Sequence, residues 1–307
     1  MKLLFFDDFV LGALRGDDVV DLSRAVADIP RAHAQDVMSG LIADFEDYRP
    51  RLEAIIADSP GIPLASVRLR PPLPRPATID CMAVNYMENG TLPAPPPIQA
   101  FQKAPSSIVG PGDAMVLPDV PATIFEGEAE LAVVIGKTAA RVSQSEAMDY
   151  VFGYTNFIDG SARGLEGFSI FHEMKSRDTF APIGPFITTA DEIADPQNLR
   201  VRLWNNGELK QDFNTDDMAH SIVRCIEYVT SIHTLQPGDI LSTGTNHGGL
   251  NPFQDGDVIE LECEGMGRLE IRVQDDLKRG WARETRGGRR KRGVDEVTPQ
   301  LTGKYAS

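Results

Sequence analysis

Glu126, Glu128 and Glu130 stand at alternate positions in the stretch Phe125-Glu-Gly-Glu-Ala-Glu-Leu-Ala-Val-Val-Ile-Gly-Lys137. In an extended strand, residues two apart share a face, so this spacing lines up as many as three carboxylates in a row. The apolar run Leu131–Ile135 then carries the strand into a buried sheet, where unpaired negative charge is costly. A hard divalent cation answers that cost, because one ion with oxygen ligands neutralises two or three carboxylates that otherwise repel. The competing reading is a strand with one wet face, its acids simply solvated.

A distant partner decides between them. In Gly153-Tyr-Thr-Asn-Phe-Ile-Asp-Gly-Ser-Ala-Arg163 an aromatic and apolar strand ends in Asp159, a natural third ligand, followed by small residues and Arg163. Lys175 precedes the apolar, proline-rich Phe180-Ala-Pro-Ile-Gly-Pro185, which reads as a rigid loop; a lysine held there can neutralise a substrate carboxylate or enolate. Thr243-Gly-Thr245 can present hydroxyls and backbone N–H groups to an anion.

The elements that must position these groups follow from periodicity and breakers. Lys2–Phe6, Val10–Leu14 and Val19–Leu22 read as short strands joined by tight turns, and apolar spacing predicts a helix within 34–56. Arg70-Pro-Pro-Leu-Pro-Arg-Pro76 reads as an extended linker, which divides the chain into a small N-terminal α/β domain (1–70), a catalytic domain (71–277) and a basic tail (278–307). The catalytic part is mainly β, an α+β fold, with helices predicted at Ser143–Tyr150 and at Asp216–Val229, where Asp216 is the expected cap.

Composition narrows the function classes. Over 307 residues the formal net charge is −15, which argues against nucleic acid or an anionic membrane as partner. The tail carries nine Lys or Arg against three acids, so it is a separate electrostatic unit, either a solvated charge run or a segment docked on the acidic body or on a partner subunit. Cys81, Cys225 and Cys263 lie far apart with no zinc-type clustering, as expected of buried thiols in a reducing compartment. No stretch is apolar enough to span a membrane and the N-terminus does not read as a signal peptide, so the expected location is the cytoplasm.

Glu128-Ala-Glu-Leu-Ala-Val-Val-Ile-Gly-Lys137, Asp159-Gly-Ser-Ala-Arg163, Lys175 with Asp178–Pro185, and Pro237-Gly-Asp-Ile-Leu-Ser-Thr-Gly-Thr245 resemble, in order and spacing, the fumarylacetoacetate hydrolase family. Asn85-Tyr86, Phe101-Gln-Lys103, Asn206–Met218 and Asp255–Leu261 with Glu264–Gly267 extend the resemblance over roughly Ile79 to Val273. It implies a distorted β-roll, usually dimeric, with Glu128, Glu130 and Asp159 binding Mg²⁺, or Mn²⁺ or Ca²⁺. It further implies that Lys175, Thr245 and Tyr86 contact an oxo-acid substrate. Glu126 falls outside that ligand set, either as a group that supports the ligands from behind or as a solvated residue without a role, the second being the expectation.

The chemistry implied is hydrolysis of a C–C bond in a 1,3-diketo or acylpyruvate-type acid through a metal-held enolate, as in aromatic catabolism. Many members carry N-Y-x-x-H-x-x-E, whose His and Glu form a dyad that activates water; here Asn89 and Leu92 occupy those positions. Glu88, beside the gap, and His247, in the Gly-rich loop after Thr245, are the replacement bases the sequence offers, each with an ordinary surface residue as the competing reading. Without the dyad, an isomerase or tautomerase, a decarboxylase or a dehydratase on the same metal site is the alternative, and a fold that binds an oxo acid without turnover is a third.

Overall fold

The computed structural model describes residues 1–165, 170–294 and 298–306. Among these, one sheet of twelve strands and one of five form most of the framework, an α+β arrangement that is mainly β. Along the large sheet the order is Ile62–Pro63, Asp18–Asp21, Val10–Arg15, Lys2–Phe6, Ala181–Thr189, Val151–Arg163, Ile124–Ile135, Ile240–Ser242, Ile79–Met82 and Ala100–Gln102, with two short strands pairing off this path. Leu3 pairs opposite Ile187, so the sheet runs without a break from the N-terminal strands into the strands that carry the acids.

The strand Ile124–Ile135 is central and every one of its residues is buried. Its two faces meet different cores. Phe125, Ala129, Leu131, Val133 and Ile135 pack toward the five-stranded sheet, with Val201, Leu203, Ile259 and Leu261. Ala132 and Val134 pack with Phe157, Ile183 and Ile240 against the helices Ala34–Ala43 and Phe45–Asp58, through Val37, Met38, Leu41 and Leu52. Alternation places the three glutamates on this second face, in step with Ala132 and Val134.

The structure corrects several local expectations. The predicted helix over 34–56 is two helices, broken where Asp44 leaves helical geometry (φ −117°, ψ 32°). Only Ala147–Tyr150 of the 143–150 stretch is helical, as a 3₁₀ turn. The later helix begins at Ile222 rather than Asp216, because Met218 and Ser221 are extended; Ile222, Cys225, Ile226 and Val229 form its buried side. Ala181–Pro185, expected as a loop, opens a nine-residue strand. Its prolines are tolerated because Pro182 lies next to the short parallel strand Ile108–Val109, outside a regular antiparallel ladder. All three cysteines are buried and unpaired, and no described helix is long and apolar enough to cross a membrane.

The basic tail is docked on its own body. Arg279 is fully buried with its guanidinium on Asp275, and Trp281 donates from Nε1 to the Thr123 carbonyl at 2.8 Å. Arg283 reaches Asp257, and Lys304 reaches Asp119 at 2.7 Å.

Candidate active site

Antiparallel pairing of Ile124–Ile135 with Val151–Arg163 sets Glu128 directly opposite Asp159 and Glu126 opposite Ser161. Asp159 therefore lies within its strand rather than at its end, and the strand continues to Arg163. One oxygen each from Glu128, Glu130 and Asp159 lies within 4.8 Å of the others, and all three residues are buried. The wet-face reading does not hold: Glu126 is 1% exposed, Glu128 5% and Glu130 0%.

Protein cations meet part of this charge. Lys175 Nζ sits 2.6 Å from Asp159 Oδ2 and 2.9 Å from Glu128, and Lys103 Nζ donates to Asp159 Oδ1 at 2.5 Å. Arg163 bonds both Glu128 and Glu126. Among the described residues no cation reaches Glu130. Its Oε2 accepts from the Ser242 hydroxyl and from the Gly244 N–H at 2.9 Å, while Oε1 is buried with no hydrogen-bond partner among those residues. A bare buried carboxylate oxygen is expensive, and here it belongs to a cluster of oxygens of the sort that hold a hard cation.

Proton affinities within the cluster diverge accordingly. Burial alone would raise Glu128, but Lys175, Arg163 and His247 outweigh it and hold that carboxyl well below its usual range. Burial, reinforced by the charges of Asp159 and Glu128, pushes Glu130 well above it. Burial would depress Lys175, yet Asp159 and Glu128 keep it raised, so it stays charged.

The two residues offered as replacement bases meet. Glu88 Oε1 lies 2.5 Å from His247 Nδ1, and the same carboxylate accepts the His247 backbone N–H. They are 159 residues apart in sequence, and backbone geometry explains how Glu88 gets there. Glu88, Asn89 and Gly90 take successive positive φ angles of 54°, 57° and 71°, a tight left-handed turn that non-glycine residues rarely adopt. Asp217 secures it, accepting from Asn89 N at 2.9 Å and from Asn246 Nδ2 at 3.2 Å, which ties the turn to the loop bearing His247. Since Nδ1 faces the carboxylate, Nε2 is the nitrogen left to take a proton.

The remaining expected contacts are deeper. Thr245 is 2% exposed, its hydroxyl accepting from Gln211 Nε2 at 2.9 Å, and Gln211 also accepts the Ala129 N–H. Tyr86, expected against substrate, has no exposed surface; it packs edge-on to Phe213 with centroids 5.0 Å apart, and its hydroxyl is buried without a partner among the described residues. Lys175 closes the short helix Ile170–Lys175.

Three groups escaped the sequence reading. Lys103 stood within a quoted motif without a role, and only the fold brings it to Asp159. Gln211 gave no signal beyond its block. Glu126, expected to be solvated, is buried and bonded by Arg163 and by Arg286 of the tail, both of them cations remote in sequence.

Residues 79–274 match the family model described as fumarylacetoacetate (FAA) hydrolase C-terminal. The chain is 33% identical over 290 residues to the maleylpyruvate hydrolase of Aquipseudomonas alcaligenes, covering 89% of this chain and 99% of that one. It is 36% identical over 272 residues to the mitochondrial oxaloacetate tautomerase Fahd2a of Rattus norvegicus, covering 84% of each. Among solved structures, maleylpyruvate hydrolase from Sphingobium sp. SYK-6 in complex with manganese (II) ion and pyruvate superposes with a TM-score of 0.82 at 38% identity, covering 90% of this chain and 99% of that one.

Proposed function

The chain belongs to the fumarylacetoacetate hydrolase family and shares its fold, and from that premise we propose a divalent-metal-dependent hydrolase of a C–C bond in an acylpyruvate-type acid, with maleylpyruvate the first substrate to test. Glu128, Glu130 and Asp159 are the residues that would hold the ion. The donor set fits Mg²⁺, Mn²⁺ or Ca²⁺: three buried carboxylates gathered within 4.8 Å, one of them with an oxygen that no described residue satisfies. Once bound, the ion supplies Lewis-acid stabilisation of negative charge developing on a substrate oxygen.

The protein's own groups do the rest. Lys175, charged and buried beside Glu128 and Asp159, orients the substrate carboxylate, and Thr245 offers its hydroxyl. His247 Nε2 takes a proton from water, while Glu88 on Nδ1 fixes the tautomer and stabilises the imidazolium that forms. The water oxygen adds to the acyl carbonyl, the bond from that carbon to the pyruvyl methylene breaks, and its electron pair stays with the methylene, which takes up a proton. Two carboxylic acids leave.

The observation that carries hydrolysis over isomerisation is the Glu88–His247 pair, which restores the carboxylate–imidazole arrangement missing at Asn89 and Leu92. A tautomerase is the second reading, supported by the likeness to the oxaloacetate enzyme and by a triad that can stabilise an enolate without any water. Turnover of maleylpyruvate in ¹⁸O-water with Mn²⁺ separates them. One solvent oxygen in the non-pyruvate acid is expected; an isomerised product without label would overturn hydrolysis, and binding without turnover would favour a non-catalytic oxo-acid binder. A cytoplasmic homodimer is the assembly we propose.

A further inference from the structure

We propose that the C-terminal arm of this chain is a working part of its active site, with Arg286 as a positioning residue that acts through Glu126 and Arg163 on Glu128. The inference rests on the metal reading of Glu128 given above.

The arm lies beyond residue 274, where the match to the family model ends. It is built to reach the acidic strand at the position where that strand enters the site. Arg279 stacks on Phe125 at 4.6 Å and bonds the carbonyls of Pro118 and Val120, and Trp281 bonds the Thr123 carbonyl, so two anchors grip the residues just ahead of Glu126. The arm then seats the turn Arg286–Lys291 against His247–Gly249. Arg286 N donates to the Leu250 carbonyl at 2.9 Å, and a Cβ on Gly287 would stand 2.7 Å from the Gly248 carbonyl oxygen, so glycine permits backbone-to-backbone contact.

From that seat Arg286 grips Glu126 with both arms of its guanidinium, Nε on Oε1 at 3.0 Å and Nη2 on Oε2. Arg163 Nε shares Oε2 at 3.1 Å, and its Nη2 bonds Glu128 Oε1. Arg163 is thus divided between two carboxylates, only one of which is in the triad. Leaving a buried carboxylate without a cation is costly, so whatever Arg286 supplies to Glu126, Arg163 need not. Without Arg286, Glu126 draws Arg163 away from Glu128. Glu128 then keeps Lys175 but loses one of the two cations that compete with a metal for its oxygens.

The expected consequence has a sign that mere loosening of the site does not share. In the full-length protein, Mn²⁺ dissociation constants are measured by calorimetry for wild type, Arg286→Gln, Glu126→Gln and the double variant. Arg286→Gln binds Mn²⁺ several-fold more tightly. Glu126→Gln releases Arg163 wholly to Glu128 and binds several-fold more weakly. The double variant follows Glu126→Gln within about twofold, because Arg286 acts only through Glu126. Arg286→Lys keeps the charge, loses the two-armed grip and falls between wild type and Arg286→Gln, giving the same information if the glutamine variant folds poorly.

Weaker or unchanged binding in Arg286→Gln overturns the proposal, as does a double variant that returns to the wild-type value, the result expected if charges simply sum. A wild type that binds no Mn²⁺ overturns the metal reading itself. A wild type that binds Mn²⁺ with Arg286→Gln indistinguishable from it removes the relay alone.

Discussion

Mn²⁺ binding should expel about one proton from the carboxylate triad, and affinity should climb with pH as a result. Burial, then the charges of Asp159 and Glu128, lift Glu130 well above its ordinary value of 4.5; Ser242 and Lys175 pull the other way without reversing the shift. The folded protein therefore holds a proton on Glu130 that the unfolded chain has already shed above pH 4.5. Where the native state binds more protons than the unfolded state, stability falls as pH rises, so this residue favours the metal-free fold at low pH and favours it progressively less up to its native pKa. A cation must displace the same proton. The apparent association constant then rises about tenfold, ~1.4 kcal/mol, per pH unit until the native pKa of Glu130 is passed, and levels beyond it. Glu128 adds no slope, since its carboxyl is already ionised. Calorimetry in two buffers of different ionisation heat counts the protons released per Mn²⁺, and Glu130→Gln, with no proton to lose, should bind weakly with a flat profile. A wild-type affinity that stays flat between about pH 5 and 8, with no proton release, would refute the placement of that proton.

Asp159→Ala strands the buried Lys103, leaves Lys175 with Glu128 as its one carboxylate partner among the described residues, and should lower the unfolding free energy by about 3–5 kcal/mol, read from denaturant melts without metal. A loss below about 1 kcal/mol would mean that those lysines find other partners. His247→Ala and Glu88→Gln should each cut kcat by about 10²-fold or more while leaving Mn²⁺ affinity within a few-fold. Normal turnover in either dismisses the pair as the base. Sedimentation should give twice the 33.6 kDa chain mass, and a monomer at assay concentration would rule out the dimer.

Much of the candidate site was legible because the chemistry is local in spacing even where it is remote in sequence. The two-residue period of Glu126, Glu128 and Glu130 survives folding unchanged, since a strand of any register puts those side chains on one face. Asp159 and Lys175 were legible as charged residues beside apolar runs. The departures at Asn89 and Leu92 were legible as well, together with the two residues able to stand in for the lost dyad once the chain brings them together. Where helix boundaries went astray, tertiary packing had overridden a cap or a period: Asp216 is a good capping residue, but it falls within a single 3₁₀ turn, Thr215–Asp217, and the chain is extended again at Met218 and Ser221 before the helix starts at Ile222.

Solvation was the property the sequence could not supply. Glu126 has the same two-residue spacing as Glu128, and nothing along the strand says that Arg163 and Arg286 will enclose it. The basic tail read equally as a solvated run or as a docked segment, because charge density alone does not tell whether a guanidinium finds a buried partner.

By itself the sequence determined which side chains could act together on one strand face, and the ordered motifs that fix the family. Tertiary structure alone decided which charges are paired. It joined Glu88 to His247, brought Lys103 to Asp159, and left Glu130 Oε1 bare. The physical reason is range: strand periodicity is set by neighbouring backbone dihedrals, whereas the energy of a buried charge depends on whatever group the fold places within a few ångströms, however distant along the chain.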